Sequence, residues 1–244
     1  MTDTATTPIA PPWRAHTLHG RRQGKKLRAA QESLLLDNLP SLRVAVTASL
    51  DPADHAVALD PAAVFGRPMP DGYAIEIGFG AGEHLAWQAA HRPDRGFIGC
   101  EPYVNGVARC LGLIERGNLS NVRVHDNDAR FVLAALPANS LDAAYILFPD
   151  PWPKSRHHKR RIVSRPTLDR LASVMKPGAE LRLATDDPSY LPWMIEHACL
   201  HPAFAWLAER PSDWRERPED WPPTRYERKM LAGKRPAFLR LARR

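Results

Sequence analysis

The chain has 244 residues, 44% hydrophobic and 25% charged, with a formal net charge of +7. That length supports one substantial core, and the positive balance fits an anionic partner such as nucleic acid or a membrane surface. No run nears the roughly 18 uninterrupted apolar residues of a membrane helix, residues 1–12 lack the apolar core of a signal peptide, and Cys100, Cys110 and Cys199 have no Cys-x-x-Cys spacing, so a cytoplasmic protein with packed, reduced thiols is expected.

A disordered tail is expected over 1–15 and a basic N-terminal extension over 16–71. Arg14, Arg21, Arg22, Lys25, Lys26 and Arg28 cluster around their junction. Residues 51–71, rich in Asp, Pro and Ala, read as irregular. From residue 72 short apolar runs alternate with helical stretches. Strands are expected at Tyr73–Ile77, Gly96–Cys100, Val122–His125, Leu141–Phe148 and Glu180–Ala184, and two more at Phe204–Leu207 and Ala237–Leu241. Helices are expected up to about Ala90, up to about Glu115, near Ala129–Leu136, over Pro166–Met175 and over Ser189–Leu200. This alternation implies βαβ units and a parallel sheet covered on both faces. Ligands of such sheets bind beyond the carboxyl ends of the strands, at the switch point. The chemistry is therefore expected at 76–82, 101, 126–128, 148–154 and 185–187.

The first strand runs into Glu76-Ile77-Gly78-Phe79-Gly80-Ala81-Gly82. Glycines permit a sharp turn and close approach of a ligand, and the helix after them offers free N–H groups to an anion. A dinucleotide fingerprint would want glycine where Glu83 stands. Gly-x-Gly-x-Gly is more similar to the S-adenosylmethionine loop of class I methyltransferases. Glu101 closes the second strand, where an acid can accept from both ribose hydroxyls. After the third strand comes Asp126-Asn127-Asp128-Ala129. Asp128, or else Asp126, is placed to read an adenine amino group, or simply to cap the next helix.

The most informative stretch is Phe148-Pro149-Asp150-Pro151-Trp152-Pro153-Lys154. Its prolines forbid helix or central strand. A stiff loop holding an acid, an aromatic and a lysine suits base recognition: the acid accepts from the guanine N1–H and amino group, and the aromatic offers packing surface. The run Arg156-His157-His158-Lys159-Arg160-Arg161 follows. Beside such a loop it reads as a phosphate track rather than a solvated face. Adjacent histidines among cations, without an acid or cysteine partner, do not read as a metal site.

Together these pieces resemble the bacterial tRNA (guanine-N7-)-methyltransferase family, TrmB. The matching residues are Glu76 to Gly82, Glu101, Asn127-Asp128-Ala129, Phe148 to Lys154 with its basic run, Ala184-Thr185-Asp186, Thr224-Arg225-Tyr226-Glu227-Arg228 and the early Arg21-Arg22-Gln23-Gly24. The resemblance implies a Rossmann-like class I methyltransferase over 72–244: an α/β fold with a seven-stranded, mostly parallel sheet, helices on both faces and an antiparallel last strand. It implies that Glu76, Gly78, Gly80, Gly82, Glu101, Asn127, Asp128, Ala129 and Asp150 line an S-adenosyl-L-methionine site, with Asp150 also the catalytic acid residue. Lys154, Asp186 and Thr224, Arg225, Tyr226 and Glu227 would contact the guanosine, and Arg156, His157, His158, Lys159, Arg160 and Arg161 the RNA. The partner implied is tRNA, methylated at its variable-loop guanosine, with no metal and no membrane. A monomer and a homodimer both stay open.

Asp187 competes with Asp186, and the Thr224-x-x-Glu227 spacing also fits a helix capping box. Three rival readings share parts of the pattern. A methyltransferase acting on another substrate fits the glycine loop but not the proline-tryptophan loop. A non-catalytic RNA-binding protein would not need Glu76, Glu101 and Asp150. A nicotinamide dehydrogenase would want different glycine spacing.

Overall fold

The structure, a computed structural model, describes residues 18–54, 58–223 and 235–244. The expected tail at 1–15, Arg14 within it, and the Thr224–Glu227 segment lie outside the described residues.

The chain opens with helix α1 (Ala29–Ser33), a wider helical turn at Leu34–Asn38 and α2 (Leu39–Leu42). Their apolar side, Leu34, Leu35, Leu39 and Leu42, packs into one of the two core clusters. Residues 51–71 do not stay irregular: Pro61–Phe65 forms α3. Asp60 caps it by accepting from the Ala62 N–H, Pro61 occupies the first turn, and Gly66 ends it with φ 69°. Aspartate and proline therefore act here as helix-start residues, not as turn breakers.

Then come β1 (Tyr73–Ile77), α4 (Glu83–His91), β2 (Gly96–Cys100), α5 (Val104–Arg116), β3 (Val122–His125), α6 (Ala129–Ala135) and β4 (Leu141–Leu147). They are followed by α7 (Arg165–Val174), β5 (Met175–Thr185), α8 (Tyr190–Met194), β6 (Phe204–Trp206), α9 (Ser212–Arg215) and β7 (Ala237–Arg243). The seven strands form one sheet in the order β3-β2-β1-β4-β5-β7-β6. Strands β1 to β5 pair in parallel, while β7 runs antiparallel to both β5 and β6. This is the expected class of sheet. Its strands are buried on both faces, and the two core clusters fill the two sides.

Two boundaries differ from the sequence expectation by most of a turn or more. Strand β5 begins at Met175, which pairs with Leu141, and the register then slips so that Ala143 meets Glu180. The slip falls at Pro177 and Gly178, the latter with φ 80°, as a bulge requires. The helix expected over Ser189–Leu200 ends its regular part at Met194 and continues as a wider turn over Ile195–Cys199. Strand order reverses between β1 and β4, so the carboxyl ends of these two strands frame the crevice where the site lies.

Candidate functional site

Between the ends of β1, β2, β3 and β4 lies a cavity of about 560 Å³. The glycine turn forms its floor. Gly78 has φ 76°, and a Cβ there would meet nothing within 4 Å, so a side chain would project into open cavity. Gly82 has φ 82°, and its Cβ would fall 2.6 Å from Cys110 Sγ on α5. The first glycine keeps the cavity clear, and the last lets the loop pack on α5 without lining the cavity itself.

Glu76, Glu101, Asp128 and Asp150 converge on this cavity from four different strand ends. Glu101 is buried and accepts from the N–H of Gly80 at 2.8 Å and of Tyr103 at 2.9 Å. Burial raises its pKa to about 7; the two backbone donors offset part of that, and the Asp150 and Glu76 charges add to it. Glu76 is also buried and bonds His84 Nδ1 at 2.7 Å. Asp128 caps α6 by accepting from the Arg130 N–H, and it pairs with the Arg130 guanidinium at 3.0 Å. The capping role and the cavity position thus coincide. Asp126 pairs with Arg43 at 2.8 Å and does not line the cavity. Asn127, expected at the cofactor, does not line the cavity either; it accepts from Arg22, which does, at 3.2 Å.

The proline loop forms the opposite wall. Phe148 and Trp152 sit at φ 50° and 45°, strained for side-chain-bearing residues, at about 1–3 kcal/mol each. They bracket Asp150. Asp150 lines the cavity, and desolvation raises its pKa above the usual value. Arg160 lies over the Trp152 ring at 5.0 Å and lines the cavity. His157 and His19 meet the same ring edge-on, at 6.0 and 6.2 Å. Partial desolvation, then Arg160, Arg156 and Lys154, lowers the His157 pKa.

The basic run is not uniform. It forms a tight helical turn over Ser155–Arg160. Lys154, Arg156 and Lys159 are exposed, and His158 turns inward onto Trp193. Arg161, expected on the RNA track, is 1% exposed. Its Nε donates to the Pro151 carbonyl at 2.8 Å, and Nη2 donates to Ser189 Oγ at 3.0 Å. Its guanidinium also lies over the rings of Tyr190 and Trp193. This is a brace beneath the proline loop, withdrawn from solution, which corrects that expectation.

Asp187 is spent as a cap, accepting from the N–H of Ser189 and of Tyr190. Asp186 beside it has no partner among the described residues, so it is the acid left available. Neither Asp186 nor Lys154 lines the cavity.

Sequence reasoning passed over His84 and Arg109, and it read the basic 21–25 segment by charge and family likeness without placing it at the cavity. His19, Gly20, Arg21, Arg22 and Arg109 all line the cavity. The buried Asn105 holds this segment by accepting from the Gly24 N–H and donating to the Lys25 carbonyl, both at 2.7 Å. No spacing rule signals such a side-chain clamp. Among the described residues no group of three or more His, Cys, Asp or Glu is placed to hold a metal ion, and no helix is long and apolar enough to cross a membrane.

Residues 71–239 match a family described as "Putative methyltransferase". The tRNA (guanine-N(7)-)-methyltransferase of Rhodospirillum rubrum is 47% identical over 227 residues, covering 93% of this chain and 87% of the relative. That of Roseobacter denitrificans is 45% identical, covering 92% and 95%. The crystal structure of the 16S rRNA methyltransferase KamB superposes with a TM-score of 0.55 at 15% identity, over 78% of this chain and 96% of that one. That likeness shows the fold, which is the class I methyltransferase fold. The chain belongs to the tRNA (guanine-N(7)-)-methyltransferase family.

Proposed function

We propose that this chain transfers a methyl group from S-adenosylmethionine to N7 of the variable-loop guanosine of tRNA. One observation carries the reading: the glycine turn, the buried Glu101 and the strained Phe148–Trp152 loop face one another across a single cavity at the switch point. The donor set suits the cofactor. An open Gly78 floor leaves room for it, and Glu76, Glu101 and Asp128 are acceptors for its amino and hydroxyl groups.

When bound, S-adenosylmethionine supplies an electrophilic methyl carbon that passes from sulfur to N7, and the positive charge passes with it to the purine. Guanine N7 has an in-plane lone pair and no proton to lose, so the protein needs no strong general base. Its work is to hold the base in line. Asp150, ionised, accepts from the guanine N1–H and amino edge and stabilises the charge that develops on the ring. The Arg160–Trp152 pair offers a cationic, flat surface beside it for an unstacked base. Lys154, Arg156 and Lys159 follow the phosphates, and the basic 21–28 strap adds to the same field. Asp186 and the Thr224–Glu227 segment are assigned to the guanosine from the family pattern.

Methyl transfer from labelled S-adenosylmethionine to two unmodified tRNA transcripts tests this, one with the variable-loop guanosine and one with adenosine there. Label on the first alone, at a base cleavable by N7-methylguanine chemistry, is the expected result. Equal label on both removes the assigned site.

A further inference from the structure

Among the described residues, His84 is the one imidazole that both lines the cavity and lies fully inside the protein, at 2% exposure. It follows Glu83, the first residue of α4, and sits between Glu76 on β1 and Gln88 one turn on. Its bonding can be worked out from the far end. Gln88, completely buried, places one amide atom 2.9 Å from the Asp220 carbonyl oxygen. A carbonyl only accepts, so that atom is the NH₂ group. The same NH₂ lies 3.2 Å from His84 Nε2, so Nε2 must be the bare acceptor. The proton is then on Nδ1, 2.7 Å from Glu76 Oε2. A doubly protonated ring would set Nε2–H against the amide N–H. One backbone carbonyl thus fixes an amide, the amide fixes a tautomer, and the tautomer aims a donor at Glu76.

The far end is itself anchored. Asp220 pairs with Arg182 at 2.6 Å and with Arg92 at 3.3 Å. Trp221, next in sequence, is buried against Phe238 and His84. A donor fixed at one carboxylate oxygen of Glu76 leaves the other free for a ligand.

We propose that His84, as a neutral Nδ1-protonated imidazole, is a positioning residue that orients the Glu76 carboxylate toward an amino or hydroxyl donor of the cofactor and ties it to the Asp220–Trp221 anchor. The proposal rests on the reading of the cavity as an S-adenosylmethionine site. A residue that merely fills space here would need only its ring against Tyr145, 5.0 Å away, and Trp221. Two variants separate the roles. His84→Phe keeps a ring and loses the Nδ1 donor. His84→Asn loses the ring and keeps an N–H donor at the position of Nδ1.

Titration of the purified full chain with S-adenosylhomocysteine is expected to show H84F weaker than wild type by roughly 10- to 100-fold, the range for a lost bond to a charged group. H84N is expected to bind more tightly than H84F despite a lower Tm. H84F binding as tightly as wild type, or more tightly than H84N, overturns the proposal and leaves the cofactor reading standing. A wild-type chain that binds no S-adenosylhomocysteine sinks both. Should either variant fail to fold, ¹⁵N NMR of the wild-type imidazole decides: a proton on Nδ1 alone is expected, and a proton on Nε2 overturns the proposal.

Discussion

Glu101 is a cavity acid whose titration the fold moves toward neutral pH. Its raised pKa means that the folded chain keeps a proton there which the unfolded chain has already released. This acid therefore contributes stability at low pH that is lost as pH rises from the ordinary carboxylate range to about 7. In the proposed ribose role ligand binding runs the other way, because accepting from both hydroxyls calls for the ionised form. Affinity for S-adenosylhomocysteine should rise by up to about tenfold per pH unit below that value and level off above it, and Glu101→Gln should flatten the curve. A flat profile in the wild-type chain would remove Glu101 from the ribose role. Asp150→Ala should lower turnover by roughly 10²- to 10³-fold, the scale for one preorganised electrostatic group. Binding of tRNA should largely survive; near-normal turnover would refute the assignment.

At the scale of elements, the proline loop and the turn after it divide into an exposed part, proposed to meet RNA, and a part that supports the loop. Arg161→Met should cost about 1–3 kcal/mol by orphaning the Pro151 carbonyl and should lower turnover, yet leave the salt dependence of tRNA binding unchanged. Charge reversal at Arg156 and Lys159 should do the opposite, lowering the salt slope by about one for each phosphate that is no longer neutralised. Binding measured between low and moderate salt checks both variants. Sequence alone could not separate these arginines, because a run of cations shows charge but not direction, and a tight helical turn fans successive side chains apart. The strands were legible because parallel strands buried on both faces must be apolar throughout. α1 and α2 were obscured by the basic run before them, and α3 because Asp60 and Pro61 begin helices as readily as turns. The four acids were legible as strand-end residues. His84 was not, since its role depends on a carbonyl of Asp220, far away in the chain.

The whole molecule places its sheet's last-paired strand late in the sequence. β7 lies between β5 and β6, and β6 joins the sheet only through β7. Leu239 and Leu241 complete the core beside Leu181 and Leu183. A chain cut before Ala237 should therefore lose cooperative unfolding and expose apolar surface, which dye binding and limited proteolysis would report. During synthesis at about 5–20 residues per second, the open edge of β5 waits several seconds for its partner after β6 has emerged. For that interval the nascent protein presents a long, unpaired strand edge, the kind of surface that recruits chaperones or pairs with a neighbouring copy.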